Sequence, residues 1–268
     1  MTIRILGDKK MTNREVLKIA MEQSAVDLCA DQADFEKVGN KIVISKESEG
    51  ARKYLKLPFS CQLVSYGSGV VASVSPEFRE ICEKYIESYP LEHLFETPHM
   101  QVLNEELMKK GQKICFMAEY FLPDLDALRP LYCPFELRIL TKDDFRDLYL
   151  PEWSNALCER RKELDVLGVG AYEGDRLIGL AGCSADCDTM WQIGVDVLFE
   201  YRRQGIASAL TSRLAIEILK RGRVPFYCAA WCNLKSVRNA IKSGFRPAWV
   251  EMTAKPCEEV DAMNKINK

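Results

Sequence analysis

The chain lacks several features that would narrow its function at once. Its 268 residues include only two histidines and almost no net charge, with 37 basic and 39 acidic groups. No apolar run approaches the ~18 residues of a membrane helix. The even charge argues against nucleic acid as a partner, since that usually requires a basic face. Met1–Lys10 is charged and lacks the apolar stretch of a signal peptide. We therefore expect a soluble, cytoplasmic protein without membrane partners.

The cysteines are numerous but do not indicate disulfides. There are 11 of them, an odd number, and most lie in apolar segments. Without an export signal they are expected to be reduced thiols that pack as small hydrophobic side chains. The pairs Cys183 with Cys187 and Cys228 with Cys232 could contribute to a metal site, although structural zinc sites usually leave two residues between paired thiols. We expect packing, and no bound metal.

The two histidines, His93 and His99, lie beside Pro90 and Pro98 in a stretch that is predicted to be irregular. Two neighbouring histidines can act as a base or as metal ligands. No aspartate or cysteine stands at a spacing that supports either role. We therefore expect histidines that are solvated or packed.

Local patterns predict a mixed α/β protein with two parts. The proline-rich stretch 121–134 is the best boundary, which divides the chain into residues 1–133 and 134–268. In the first part, helices are predicted over 13–25 and 76–86, strands over 40–45 and 113–120, and a hairpin within 62–75. No motif in this part indicates a function.

The second part has a more regular pattern, which predicts a mixed sheet flanked by helices. Helices are predicted over 142–148, 154–164 and 236–243, and a long one begins at Gly205. Strands are predicted over 135–140, 166–172, 176–183, 190–197, 225–231 and 248–253.

The chemistry is concentrated where the strand 190–197 runs through a turn into the Gly205 helix. Ile206, Leu210, Leu214 and Ile218 recur every four residues and form one apolar stripe on that helix. Its first turn holds only small or flexible residues, so an anion can approach the unpaired N–H groups and the positive end of the helix dipole. The segment is therefore a candidate phosphate site.

Two common phosphate motifs are absent. The G-x-G-x-x-G of dinucleotide-binding folds and the Gly-Lys-Ser/Thr of P-loops do not occur here. Instead, Arg202-x-x-Gly205-x-Ala207 resembles the R/Q-x-x-G-x-G/A acyl-CoA signature of the GNAT superfamily of N-acyltransferases. Further along, Asn233-x-x-Ser236 and Gly244-Phe245 are similar to the N-x-x-A/S and G-F segments of that superfamily. The matches occur in the right order over about 135–255.

The resemblance implies a GNAT-like acyl-CoA N-acyltransferase fold, an α/β mixed sheet, in residues 134–268. A smaller or degenerate α/β domain would precede it. In the superfamily the central strands splay apart, and the pantetheine arm of the cofactor pairs with their main chain. The implied cofactor is acetyl-CoA as cosubstrate, and the implied cofactor-binding residues are Val195, Val197, Phe199, Arg202, Arg203, Gln204, Gly205, Ile206, Ala207, Ser208, Asn233 and Ser236.

The same resemblance leaves the catalytic groups unassigned. Where other members carry a base, this chain has Trp191 and Ile193. Where many members carry a tyrosine that acts as the general acid, it has Ala240. Neither Trp191 nor Ile193 can accept a proton. The substitutes that the sequence offers are Asp186, Asp188, Asp196 and Cys232, each of which also has an ordinary structural explanation.

The resemblance implies an N-acetyltransferase that moves the acetyl group of acetyl-CoA directly to a primary amine of a small molecule or peptide. The alternative is a non-catalytic acyl-CoA-binding or sensing protein, which the missing base and acid would explain. The acceptor is not predictable from the sequence, and a homodimer stays an open expectation.

Overall fold

The computed structural model describes residues 11–265, so the prediction for Met1–Lys10 lies outside the described residues. Within this range no helix is both long and apolar enough to cross a membrane. The helices are α1 (Asn13–Leu28), α2 (Ala33–Glu36), α3 (Arg79–Ser88), α4 (Thr97–Met108), α5 (Ile206–Lys220), α6 (Leu234–Lys242) and α7 (Cys257–Met263). The strands are β1 (Lys41–Ile44), β2 (Cys61–Ser65), β3 (Val71–Val74), β4 (Gln112–Pro123), β5 (Glu136–Thr141), β6 (Asp165–Glu173), β7 (Arg176–Ser184), β8 (Met190–Val197), β9 (Val224–Ala230) and β10 (Phe245–Pro256).

The chain forms two compact units. Among the described residues, one comprises 11–20 and 120–247, and the other comprises 21–119 and 248–265. The sequence-based boundary after residue 133 falls inside the first unit, because Leu128 is buried in the core of that unit. The division into 1–133 and 134–268 stays a prediction. The mixed α/β fold class is confirmed.

The first unit is built on a mixed sheet in which β9, β8, β7, β6 and β5 are neighbours in that order. The β5–β6, β6–β7 and β7–β8 pairs are antiparallel, and β8–β9 is parallel. The predicted hairpin 166–172/176–183 is confirmed as β6 and β7, which turn at Gly174 and Asp175. Gly174 has a φ of 60°, which a residue without a Cβ adopts without strain.

Helix α5 covers one face of this sheet with the predicted apolar stripe. Ile206, Leu210, Leu214 and Ile218 are all buried, and they join the core with Val169 and Ile178 of the hairpin. Burying four such side chains contributes on the order of 1.5–3 kcal/mol each before conformational entropy is subtracted. The stripe therefore fixes where the helix begins relative to the end of β8.

Two paired glycines shape the opposite side of the sheet. Gly182 of β7 lies beside Gly194 of β8, and a Cβ on either would come within 2.2 Å or 1.8 Å of the carbonyl oxygen of Ala156 or Asn155, respectively. Any larger residue would push the 155–156 backbone away. The glycines thus let the backbone of the 154–156 turn lie directly on the sheet next to β8.

This contact explains why the predicted helix over 154–164 is wrong. The N–H groups of Asn155 and Ala156 bind the Asp196 carboxylate instead of helical carbonyls. Only short 3₁₀ turns form, over Pro151–Trp153 and Glu159–Leu164. The predicted helix over 142–148 is a 3₁₀ turn, Lys142–Phe145, although Thr141 and Asp144 form the expected cap.

The second unit places β1, β3, β2, β10 and β4 side by side in that order. The predicted hairpin within 62–75 is confirmed as the antiparallel pair β2–β3. Helix α3 follows a 3₁₀ turn that Pro76 begins. The stretch around the two histidines is not irregular as predicted, because Pro98 lies in the first turn of α4, where its missing N–H costs no helical bond.

Candidate functional site

The parallel strands β8 and β9 separate part of the way along their length. In the described chain their ladder consists of three pairs: Met190 with Val224, Trp191 with Pro225, and Gln192 with Phe226. Strand β8 continues to Val197, paired on its other side with β7. The splay that the resemblance implied is therefore present, and it leaves the β9-facing edge of 193–197 without a strand partner.

After β8 the chain makes a tight turn held by backbone and side-chain bonds. A 3₁₀ turn covers Phe199–Tyr201, and the Nε of Arg202 donates to the carbonyl of Val197 at 3.0 Å. Arg203 has a φ of 66° and Gly205 a φ of 82°. Both are left-handed conformations, which turn the chain sharply so that α5 starts beside the splay.

The start of α5 carries no side-chain cap. Its N-cap is Gly205, no side-chain cap bond is present there, and the first turn contains no acidic residue. The first N–H groups of a helix have no partners within the helix, and the dipole places a partial positive charge on them. A Cβ added at Gly205 would meet only the Lys242 ammonium, at 3.8 Å. The helix start therefore offers open amides with positive charge nearby.

Lys242 was not identified from the sequence. It is the last residue of α6, and nothing in its local pattern connects it to Gly205. Two bonds join the helices: the Ser208 hydroxyl donates to Asn239 Oδ1 at 3.0 Å, and Asn239 Nδ2 donates to Thr211 Oγ1 at 3.0 Å. The Ser208 side chain is thus engaged within the protein, and its main-chain N–H is the group that belongs to the open helix start.

The predicted residues Asn233 and Ser236 lie after β9, at the start of α6, and bond to each other. Asn233 caps α6, because its Oδ1 accepts the N–H of Ser236 at 3.2 Å. Burial raises the pKa of the phenol of Tyr227 in β9, and the side chains of Ser236 and Asn239 act in the opposite direction. Exposed apolar side chains follow both strands: Phe199 after β8, and Trp231 and Leu234 after β9. The carboxyl ends of neighbouring parallel strands lie at one edge of a sheet, where ligands of such folds commonly bind.

Among the predicted catalytic candidates, Asp196 has the most extensive bonding. Its Oδ2 accepts the N–H groups of Asn155 and Ala156 at 2.8 and 2.9 Å, and its Oδ1 accepts the side-chain amide of Asn155 at 2.7 Å. The expected alternation also holds, since Val197 packs in the core under α5 while Asp196 meets the 155–156 segment. These bonds fit a structural carboxylate.

The other candidates lie in different surroundings. Asp186 is fully buried, ion-paired with Arg161, and accepts from the Ser184 hydroxyl at 3.3 Å. Asp188 and Cys232 are exposed. Trp191 is half-buried, while Ile193 and Ala240 are buried in the core. No catalytic acid or base follows from this arrangement, and the four candidates stay predictions.

Two polar features near β8 were missed by sequence reasoning. At the last bridge of the β8–β9 ladder, Gln192 Nε2 donates to Cys228 Sγ at 3.1 Å. Close to Asp186, burial raises the pKa of the Asp165 carboxyl to about 6. The backbone N–H of Cys158, the side chain of Tyr149 and the charge of Arg161 all lower that pKa, but by less. Neither was recognisable beforehand, because each partner comes from a different element.

All eleven cysteines are thiols rather than disulfide partners. Cys183, Cys187, Cys228 and Cys232 do not form a metal-ligand group within residues 11–265. Cys187 instead donates to the carbonyl of Met190 at 3.3 Å, and burial raises the pKa of Cys183. These contacts agree with the expected packing role.

Comparison with known proteins gives a family match. The family model for GNAT acetyltransferase matches residues 82–248, more than half of the chain. No curated protein matches the chain.

Similar solved structures include a GCN5-related N-acetyltransferase-like protein from Streptococcus suis, with 20% identity, a TM-score of 0.43, and coverage of 59% of this chain and 69% of that one. A GCN5-related N-acetyltransferase from Kribbella flavida has 14% identity and a TM-score of 0.44, covering 59% of this chain and 64% of that one, which is less than two thirds. The yncA protein of Salmonella typhimurium was solved with its cofactor acetyl-CoA. It has 16% identity and a TM-score of 0.34, and the match covers 47% of this chain and 96% of that one.

Proposed function

The chain belongs to the GNAT acetyltransferase family, and from this premise we propose that it transfers the acetyl group of acetyl-CoA directly to a primary amine of a small molecule or peptide. The observation that carries the proposal is the adjacency of an unpaired strand edge and an open, positively charged helix start. Acetyl-CoA combines the two chemical features that such a pair would bind. Its pantetheine arm carries amides, and its diphosphate carries negative charge.

The residues present fit this cofactor at both ends. The edge of 193–197 has main-chain groups that an amide-containing arm can pair with, as an added strand would. The amides of 203–208 would hold the diphosphate, with Arg203 and Lys242 supplying charge. The absence of a Cβ at Gly205 keeps the approach to those amides open. Asn233 and Ser236 would line the far side of the arm. Bound acetyl-CoA would supply an activated thioester.

The chain must then deliver a neutral amine to that thioester. An alkylammonium with a pKa near 10.4 loses its proton at pH 7 at a cost of roughly 4–5 kcal/mol. Neither Trp191 nor Ile193 can accept the proton, and Asp196 is occupied by three donors. We infer that the acceptor has a low-pKa amine, or that water relays its proton to a carboxylate at the cleft. Main-chain N–H groups of the strand edge would polarise the thioester carbonyl.

A second function remains in competition. Trp191 and Ile193 leave the amine without a base, and Ala240 leaves the thiolate without an acid. These residues favour a protein that binds acyl-CoA without turning it over. Both functions use the same cofactor site. They differ in whether an acetylated product forms.

The cofactor site is tested by calorimetric titration of the full chain with acetyl-CoA, using Ala207→Glu and Ala207→Gln as a matched pair. Glutamate places a negative charge at the helix start, which the dipole favours, so we expect the helix to remain stable. The same charge repels a diphosphate, and we expect at least a tenfold loss of affinity (about 1.4 kcal/mol). Glutamine has nearly the same size without the charge and should retain most of the binding. Equal affinity of both variants for acetyl-CoA would reject the site.

Turnover is tested separately with an acceptor screen read by mass spectrometry. Acetylated amines, aminoglycosides or peptides in the presence of acetyl-CoA would support the transferase. Binding of acetyl-CoA with no acetylated product across the screen would favour the sensing protein. Mass detection is preferable to thiol-reactive dyes, because the protein carries its own thiols.

A further inference from the structure

A second polar cluster lies in the other compact unit, at the start of α4. His93, Glu96 and His99 each present one donor atom, and these atoms all lie within 4.8 Å of one another. Among residues 11–265, no other group of three or more His, Cys, Asp or Glu side chains has donor atoms close enough together to hold one ion. The site lies outside the elements that would bind acetyl-CoA.

The backbone holds the three side chains on one side of consecutive turns. The N–H of His93 donates to the carbonyl of Pro90, and the N–H of Glu96 donates to the carbonyl of His93, each at 3.0 Å. Between them, Leu94 and Phe95 are buried, so the intervening residues anchor the turn and the two polar ones face outward. A spacing of three residues in such turns repeats the same face.

The distances are close to those of a coordinated ion. Glu96 Oε2 lies 4.0 Å from His93 Nε2 and 3.9 Å from His99 Nδ1. A tetrahedral zinc ion with ligands at about 2.1 Å would bring the donors to about 3.4 Å from each other. His93 and Glu96 are free to make this shift, because both side chains are about half exposed. The His93 ring now stacks on that of His99, at 5.0 Å between centroids, and would turn to bring its nitrogen to the ion.

His99 supplies the observation that points to a ligand. Its Nδ1 is buried and has no hydrogen-bond partner, although a carboxylate oxygen stands 3.9 Å away. A buried polar atom without a partner is costly, and a cation between the nitrogen and the carboxylate would satisfy both. The ring is also held in place, since Tyr89 packs edge-on against it at 4.4 Å between centroids.

We propose that His93, Glu96 and His99 form a binding site for a divalent transition-metal ion, Zn²⁺. Two imidazoles and one carboxylate are a donor set that zinc accepts, whereas magnesium and calcium prefer oxygen ligands alone. The ion joins the 3₁₀ turn Leu91–His93 to the first turn of α4, and solvent completes its coordination. The sequence predicted no metal, because the pairing of the histidines with Glu96 depends on a helix that it did not predict.

The test is a titration of the full chain, stripped with a chelator and kept reduced, with Zn²⁺ and with Co²⁺. The variant His93→Ala removes a half-exposed ligand, so the fold is expected to remain intact, and Glu92→Gln removes a neighbouring exposed charge outside the cluster. We expect the wild type and Glu92→Gln to bind one equivalent of metal ion more tightly than His93→Ala does. The affinity for that equivalent should be at least tenfold lower in His93→Ala. The melting temperature should rise with Zn²⁺ in the first two proteins only.

Cobalt distinguishes this site from binding by the thiols. The difference spectrum between the Co²⁺-loaded wild type and His93→Ala should show visible d–d bands without a thiolate charge-transfer band in the near ultraviolet. His99→Ala should behave as His93→Ala does. Equal stoichiometry and affinity in wild type, His93→Ala and His99→Ala would overturn the proposal and leave two packed histidines. A thiolate band in the difference spectrum would overturn it as well.

Discussion

The amides of Asn155 and Ala156 bind a carboxylate of the chain itself, whereas the first turn of α5 has neither a carboxylate nor a side-chain cap. Both sets of N–H groups belong to the same compact unit and attract negative charge. Asp196 satisfies one set and thereby fixes the 154–156 turn on the sheet. The amides at the start of α5, over 205–208, are the open set; they lie beside a splayed strand edge and near Lys242. The chain thus supplies its own anion where a turn is anchored to the sheet, and it supplies none at the start of α5.

The strongest test of this contrast removes the internal anion. Asp196→Ala leaves the N–H groups of Asn155 and Ala156 without their acceptor, so we expect the free energy of unfolding to fall by about 1–3 kcal/mol. Asp196→Asn retains an acceptor and should lose less. Urea denaturation measures both, with Asp188→Ala as the control at an exposed aspartate.

The same variants separate a structural carboxylate from a catalytic one. Acetyl-CoA affinity should be nearly unchanged in Asp196→Asn, because the residue does not belong to the open set. If Asp196→Ala kept full stability but lost acetyl transfer, Asp196 would be the missing base and the contrast would be wrong.

A smaller effect is expected at the open set. Lys242→Gln removes the ammonium near Gly205, and we expect a two- to fivefold weaker affinity for acetyl-CoA, or about 0.4–1 kcal/mol, typical of a partly exposed charge. Lys235→Gln, an exposed lysine on the same helix, is the matched control. The difference between the two should shrink at high salt. Calorimetry that finds identical affinities would remove Lys242 from the site.

The smallest effect concerns a second internal carboxylate. Asp165 accepts the N–H of Cys158 at 2.9 Å, and burial raises the pKa of its carboxyl to about 6. Between the ordinary aspartate pKa near 3.9 and pH 6 the folded state binds more protons than the unfolded state, so this group lowers stability as pH rises.

We therefore expect Asp165→Asn to stabilise the protein slightly at pH 7, with a gain that decreases as the pH falls below 6. Thermal melting at pH 5 and pH 7 measures this difference. A variant whose stability relative to the wild type is the same at both pH values would contradict the raised pKa.

Local patterns predicted the parts of the fold that depend on neighbouring residues. The pattern of local residues predicted a strand over 190–197, which is β8, and a long helix beginning at Gly205, one residue before α5 begins. The helix predicted over 154–164 failed because the competing acceptor, Asp196, comes from a distant strand. Likewise, α4 was missed where Pro98 and Pro90 suggested an irregular chain.

For the candidate site, the glycine-led turn and its arginines were recognisable because a helix start is a local object. The sequence could not reveal that Lys242 lies near Gly205, or that Glu96 lies between two histidines. In the first case the partner comes from another helix, and in the second the relevant face exists only once α4 has formed.

The uncapped start of α5 follows from local sequence alone, because hydrophobic spacing and the absence of a Cβ act over a few residues. Three features depend on the folded chain: the positions of the charges around that helix, the amides that bind an internal carboxylate, and the point where β8 and β9 separate. Coulombic and hydrogen-bond energies depend on separation in space, and only folding brings residues that are distant along the chain within a few ångströms of each other.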